Sequence, residues 1–172
     1  MSDYPSNEER TLKYFENFNR EKVLKSLIKT DSPVIFDVGA NNGISSQEFK
    51  QWWPNGIIHC FEPQKECWDD LNKLKLKYSP NKIFINEIAA GNSSGKKKSF
   101  YTHDVSSGLS GFNKVNKKSI DSIEIKKLHN KKNLLTNYAS KFNHKREVSA
   151  IRLDDYCSKT GIQKINLLKM DT

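Results

Sequence analysis

Cysteine is scarce in this sequence. Cys60, Cys67 and Cys157 form no C-x-x-C pair, and an odd, low count does not build a disulfide framework. There is no run of about 18 apolar residues, so no transmembrane helix is expected. The opening MSDYPSNEER lacks the basic-then-apolar order of a secretion signal. A reducing, cytosolic setting is therefore expected. The G-x-G-x-x-G fingerprint of dinucleotide sites is missing too. Histidines 59, 103, 129 and 144 and the three cysteines show no ligand spacing, so no metal site is predicted.

What is present suits one folded domain. The chain has 172 residues, 35% of them hydrophobic, with nine Phe, six Tyr and three Trp to build a core. Charge is unevenly spread. The net is +9, yet between Lys96 and Arg146 thirteen basic residues meet only Asp104, Asp121 and Glu124, and the remainder is nearly balanced. A segment of this kind is a solvated insertion, a clamp for an acidic substrate or a nucleic-acid patch. Solvation is the ordinary state of a charge run, and the aromatics here are too scattered for a single-strand binder.

Strands and helices alternate along the chain. Ser6-Asn7-Glu8-Glu9 has the S-x-x-E form of a capping box, and a helical stripe follows from Leu12 to Ile28, broken near Asn19. Residues 1–30 thus form a helical extension ahead of a domain over 31–172. Val34 to Val38 is a short β-branched run that suits a strand buried on both faces. A glycine turn and a helix ending at Pro54 follow, with Trp52-Trp53 read as packing against the sheet. Ile57 to Phe61 is a second strand. Pro63 is placed at the first position of the next helix, which stops at Pro80. Lys82–Ile88, Glu147–Ile151 and Lys164–Met170 are further strands, and Asp154 is read as the N-cap of a short helix ending near Gly161. Such alternation implies an open α/β sheet of Rossmann type, mostly parallel, with right-handed crossovers.

Sheets of this kind bind ligands beyond the carboxyl ends of their strands. Asp37 to Gly43, Glu62 to Gln64, the turn after Ile88, and Asp171 converge there. Glu62, nineteen residues past Gly43, suits two ribose hydroxyls, because one carboxylate accepts from both. Asp37, two residues ahead of Gly39, would repel a diphosphate and suits a cation. S-adenosylmethionine, with its sulfonium and ammonium, therefore fits better than NAD.

Phe36-Asp37-Val38-Gly39-Ala40-Asn41-Asn42-Gly43, Cys60-Phe61-Glu62-Pro63 and Asn166-Leu167-Leu168-Lys169-Met170-Asp171-Thr172 resemble the motifs of the FkbM-type methyltransferases, a branch of the class I family. Ala89-Ala90-Gly91-Asn92, Ser106-Ser107-Gly108-Leu109-Ser110 and Arg152-Leu153-Asp154-Asp155-Tyr156 agree in order. Residues 1–30 and about 112–145 lie outside the resemblance, the latter as a Lys-rich insertion. The resemblance implies a Rossmann-like three-layer α/β/α fold and S-adenosylmethionine as cofactor. It implies that Asp37 and Gly39 face the methionine part, that Asn41 and Gly43 shape the loop, and that Glu62 holds the ribose. Pro63 and Gln64 would lie near the adenosine, Ala89 near the adenine, and Asp171 by the reactive methyl. It further implies O-methylation of a hydroxyl on a sugar, glycan or natural product. The family pattern continues past Thr172, so a C-terminal truncation is expected, leaving the sheet incomplete on that side.

Deprotonation of the acceptor needs a base of modest strength. Asp171, His103 and Asp104 are the candidates, the last two ahead of a Ser-Ser-Gly loop able to fold over the site. The alternatives are a noncatalytic Rossmann-like remnant and a nucleic-acid-binding methyltransferase-like module.

Overall fold

The computed structural model describes residues 6–78, 82–104, 106–116 and 142–171. Most of the segment read as a Lys-rich insertion, 117–141, lies outside the described residues. Two short helices come first, α1 (Asn7–Asn17) and α2 (Arg20–Leu27). Ser6 and Glu9 form the capping box that their spacing predicts. Asn19 breaks the stripe and caps α2 through a bond from Lys22 N. Leu24 and Ile28 reach the core, whereas Leu12 and Phe15 stay exposed.

The main sheet holds β1 (Val34–Val38), β2 (Ile57–Phe61), β3 (Ile83–Asn86) and β7 (Leu167–Met170) in the order β3-β2-β1-β7. All three pairings are parallel. The reversal of order lies between β1 and β7, which is where an open α/β sheet forms its binding crevice. Helices α3 (Ile44–Trp52) and α4 (Trp68–Tyr78) cover one face, burying Ile35, Phe49, Ile58, Leu71, Leu74 and Ile83. Helix α5 (Leu153–Thr160) covers the other, where Phe36, Val38, Phe61, Ile151 and Tyr156 pack. The result is the three-layer α/β/α arrangement that the alternating elements predict. Each fully buried large apolar side chain contributes about 1.5–3 kcal/mol.

A second sheet was not legible in the pattern. It joins β4 (Ala89–Ala90), β5 (Lys97–Thr102) and β6 (His144–Ile151) in the order β4-β6-β5. β5 lies inside the lysine run, so its charge hides a period-two alternation in which Phe100 and Thr102 are buried and Lys97 is exposed. β6 starts at His144, within the span assigned to the insertion. Two local readings are also corrected. Pro63 precedes the helical region, which opens as a 3-10 turn at Lys65–Cys67. Arg152, not Asp154, occupies the N-cap of α5. Asp154 sits in the first turn, where its negative charge complements the positive end of the helix dipole and pairs with Arg152. Gly161 does end that helix, at φ +72°.

Trp53 is buried, as read, and the guanidinium of Arg20 lies 5.0 Å from the Trp52 ring centroid. Lys50 is 2% exposed and donates to the carbonyls of Pro54 (2.7 Å) and Gly56 (2.9 Å), closing the turn into β2. Among the described residues no helix is long and apolar enough to cross a membrane.

On the α5 face, His59 stacks on Phe84 and shares a 2.8 Å hydrogen bond with the Tyr156 hydroxyl. Burial lowers its pKa from 6.5 to about 4. The neutral imidazole is the folded form, so the unfolded chain takes up this proton first as pH falls. Stability from His59 is complete above pH 6.5 and declines toward pH 4, by up to about 3 kcal/mol. Urea unfolding across that window should show the decline in the native protein and a flatter profile in His59→Phe. Parallel profiles would remove His59 as the cause.

Candidate functional site

The crevice is built on the carboxyl ends of β1 and β2. Gly39 and Ala40 donate their N–H groups to the Phe61 carbonyl (3.0 and 3.2 Å), turning the chain directly after β1. Gly39 and Gly43 have φ of +73° and +83°, and Asn41 between them has +49°. Asparagine tolerates this left-handed region better than most residues.

Glu62 lies at the tip of β2 and is 2% exposed. One of its oxygens accepts from Asn41 N at 2.8 Å and the other from Gln64 N at 2.9 Å. Trp68 donates to its backbone carbonyl at 2.9 Å. Burial pushes its pKa up, and the two backbone N–H groups partly offset that push. Each carboxylate oxygen keeps a second lone pair for a hydroxyl donor.

A cavity of about 170 Å³ opens here. Its walls are Val38, Gly39 and Asn41 after β1, Phe61 to Gln64 after β2, Ala89 and Ala90 on β4, and Phe100 on β5. Asp171 stands at the end of β7, with its N–H bonded to the Val38 carbonyl at 3.0 Å. The segment Ser107–Asn113 closes the cavity from above. Ser107 is latched to Asn41 by two side-chain bonds (2.9 and 3.0 Å), and its carbonyl accepts from Gln64 Nε2 at 3.2 Å. Tyr101 and Gly111 exchange backbone bonds that anchor the strap to β5. Small-molecule sites usually measure about 300–1,000 Å³, so this strap narrows the crevice to below a ligand-sized volume.

Gly39, Asn41, Glu62, Pro63, Gln64, Ala89 and Asp171 therefore come together on one wall, as their positions in the sequence suggest. Four other candidates do not line this cavity. Asp37 is wholly buried on the α3 side, because side chains alternate along β1 and Phe36 and Val38 take the opposite face. Its Oδ2 accepts from Ser46 Oγ at 2.7 Å, and Lys169 Nζ stands 3.0 Å from its Oδ1 as an ion pair. Gly43 caps α3 with its backbone and packs under Leu71 and Leu74. His103 is buried, tilted against Phe142, with Nδ1 accepting from Asn143 N at 3.1 Å. Asp104 faces His144 Nε2 at 3.3 Å on the surface. Of the three candidate bases, Asp171 lines the cavity and His103 and Asp104 lie away from it.

Phe100 and Phe112 were missed. They meet edge to face, 5.7 Å between centroids, and both line the cavity. Lys169 was also missed, though its register partner in β1 is Asp37. Burial pushes the Cys60 thiol up to about 12 and the Cys67 thiol up to about 11, so both stay thiols at neutral pH.

The described lining of this cavity holds two carboxylates, Glu62 and Asp171, and no lysine or arginine. In a chain of net charge +9, that is a local inversion of sign. The exposed cations Lys97 and Lys145 lie elsewhere, on the outer face of β5 and β6.

The model of the methyltransferase FkbM domain matches residues 37–172. The chain belongs to the FkbM methyltransferase family. A curated relative, the 2-O-methyltransferase NoeI of Sinorhizobium fredii, is 27% identical over 159 residues. That match takes in 85% of this chain and 55% of NoeI, so the chain spans about half the length of that relative. Among solved structures, the precorrin-6y C5,15-methyltransferase of Geobacter metallireducens GS-15 aligns with a TM-score of 0.32 and 14% identity, covering 63% of this chain and 70% of that one.

Proposed function

We propose that this chain binds S-adenosylmethionine in the Glu62–Asp171 cavity and forms the donor-binding part of an O-methyltransferase. The acceptor class we infer is a hydroxyl on a sugar, glycan or natural product, in line with the 2-O-methyltransferase relative. One observation carries the reading: a ligand cavity whose described lining holds two carboxylates and no lysine or arginine. A sulfonium and an ammonium are favoured there, whereas a diphosphate is repelled.

The residues present fit the donor. Glu62, fixed by Asn41 N and Gln64 N, accepts the ribose hydroxyls through its remaining lone pairs. Ala89, Ala90 and Phe61 provide an apolar wall for the adenine. The donor supplies an electrophilic methyl group whose transfer breaks a C–S bond and forms a C–O bond. The protein's share is to align the acceptor oxygen with that methyl, which supplies about 7–11 kcal/mol. Asp171, with 81% of its side chain exposed and its Oδ2 3.7 Å from Lys169 Nζ, takes the hydroxyl proton at the cavity mouth. The strap from Ser107 to Asn113 roofs the cavity and shields a bound donor from water.

Thermal-shift measurements with S-adenosylmethionine, S-adenosylhomocysteine and NAD⁺ test the reading. Stabilisation by the first two and none by NAD⁺ is expected. Stabilisation by NAD⁺ alone would overturn it.

The site's independence from the Lys-rich segment is a second expectation. Asn143 bonds Val115 through its side chain at 2.8 Å, so the ends of the 117–141 segment are already held together. Replacing 117–141 with a short Gly-Ser linker should leave S-adenosylhomocysteine affinity within about threefold, a change of under about 0.7 kcal/mol. The cut must spare Phe112 and Asn113, which line the cavity. A collapse of affinity in calorimetry would place part of that segment in the pocket.

A further inference from the structure

Lys169 has no part in the donor contacts above, although its ammonium stands directly behind two residues of the cavity wall, Gly39 and Asp171. It donates to the Gly39 carbonyl at 3.0 Å, pairs with the buried Asp37 Oδ1 at 3.0 Å, and lies 3.7 Å from Asp171 Oδ2. Its side chain is 23% exposed. The register explains the convergence, since Lys169 sits directly opposite Asp37 across the β1–β7 pairing.

We propose that Lys169 is a positioning residue for the donor site. It locks the Gly39–Gly43 turn through the Gly39 carbonyl and ties that turn to Asp171. The proposal rests on the donor-binding reading for its ligand consequence, but its structural content stands on three distances.

Two roles must be separated. A buried carboxylate without a partner is strongly destabilising, so Lys169 also compensates Asp37. A residue that only compensated Asp37 would be dispensable once that charge was removed. Bonds to the Gly39 carbonyl and proximity to Asp171 are independent of Asp37. They fix two residues that line the cavity, and a displacement of about 1 Å in such groups costs on the order of 100-fold in function. The same ammonium faces a second depression, of about 300 Å³, across the strap from the main cavity; Gly39 and Asp171 border both.

The test compares Lys169→Met with the double variant Asp37→Asn/Lys169→Met. The single variant should melt well below the native protein. The double variant, with both charges removed, should regain most of that loss. Hydrogen exchange is then read at the Gly39 and Ala40 amides, which bond Phe61 O in the native turn. At matched stability these amides should exchange about tenfold faster in the double variant than in the native protein. S-adenosylhomocysteine affinity, by calorimetry, should stay about 10- to 100-fold weak. Native exchange and native affinity in the double variant would overturn the proposal and reduce Lys169 to a counter-ion. Failure of S-adenosylhomocysteine to bind the native protein would remove the functional reading instead, and the exchange rates would still decide the role of Lys169.

Discussion

Glu62→Ala is expected to weaken S-adenosylhomocysteine binding by about 2–4 kcal/mol, roughly 30- to 900-fold. The loss has two sources. The ribose hydroxyls lose a charged acceptor, and hydrogen bonds to charged groups are worth about 1.5–3 kcal/mol each. Asn41 N and Gln64 N lose the oxygens that hold them at 2.8 and 2.9 Å, so the glycine turn and the start of the next segment come loose together. Glu62→Gln separates the two sources, because its single carbonyl satisfies one backbone N–H and leaves the other facing an amide. It should fall between the native protein and the alanine variant in calorimetry. Native affinity in Glu62→Ala would take the residue out of the site.

Gly43→Ala is expected to destabilise the fold by about 2–4 kcal/mol. Its φ of +83° strains any L side chain, and an added Cβ would stand 2.9 Å from Leu74 Cδ2 and 3.0 Å from Leu71 Cδ2. Those leucines belong to the core between the sheet and the two covering helices, so they give way only by shifting packed neighbours. Gly161 provides the control. Its φ is +72°, but nothing lies within 4 Å of an added Cβ, so Gly161→Ala reports backbone strain alone, about 1 kcal/mol. Urea unfolding of the two variants should therefore differ by the packing term. Equal losses would mean that the leucines move aside without cost.

The features legible in the sequence are those whose cause is local. The Ser6–Glu9 capping box, the break at Asn19, the glycine turn after β1 and the acid at the tip of β2 each follow from residues within a few positions. Glu62 was legible because the strand ends at it, and a strand end in a parallel sheet faces the crevice. Asp37 was legible as buried chemistry but not as to its direction. A one-residue step along β1 moves a side chain to the other face of the sheet, and only the packed structure shows that this face carries α3 and Ser46. His103 and Asp104 were read from their place ahead of the strap. The β5–β6 pairing instead sets His103 beside Phe142 and Asn143, a relation spanning 40 residues. The strap latch between Asn41 and Ser107 spans 66 residues, and no periodicity announces it. Phe100 and Lys169 carried a signal that went unread. Phe100 stands two residues from Thr102 in β5, both buried, and Lys169 is a lone cation in a strand of Leu and Met whose neighbour contains a lone acid.

The most direct measurement is a structure of this chain with S-adenosylhomocysteine bound. The account predicts the ribose hydroxyls on the Glu62 carboxylate, the adenine against Ala89 and Ala90, and the amino-acid end between Gly39 and Asp171. A nucleoside seated outside this cavity, or a dinucleotide lying across the Gly39–Gly43 turn with its diphosphate beside Asp171, would contradict it.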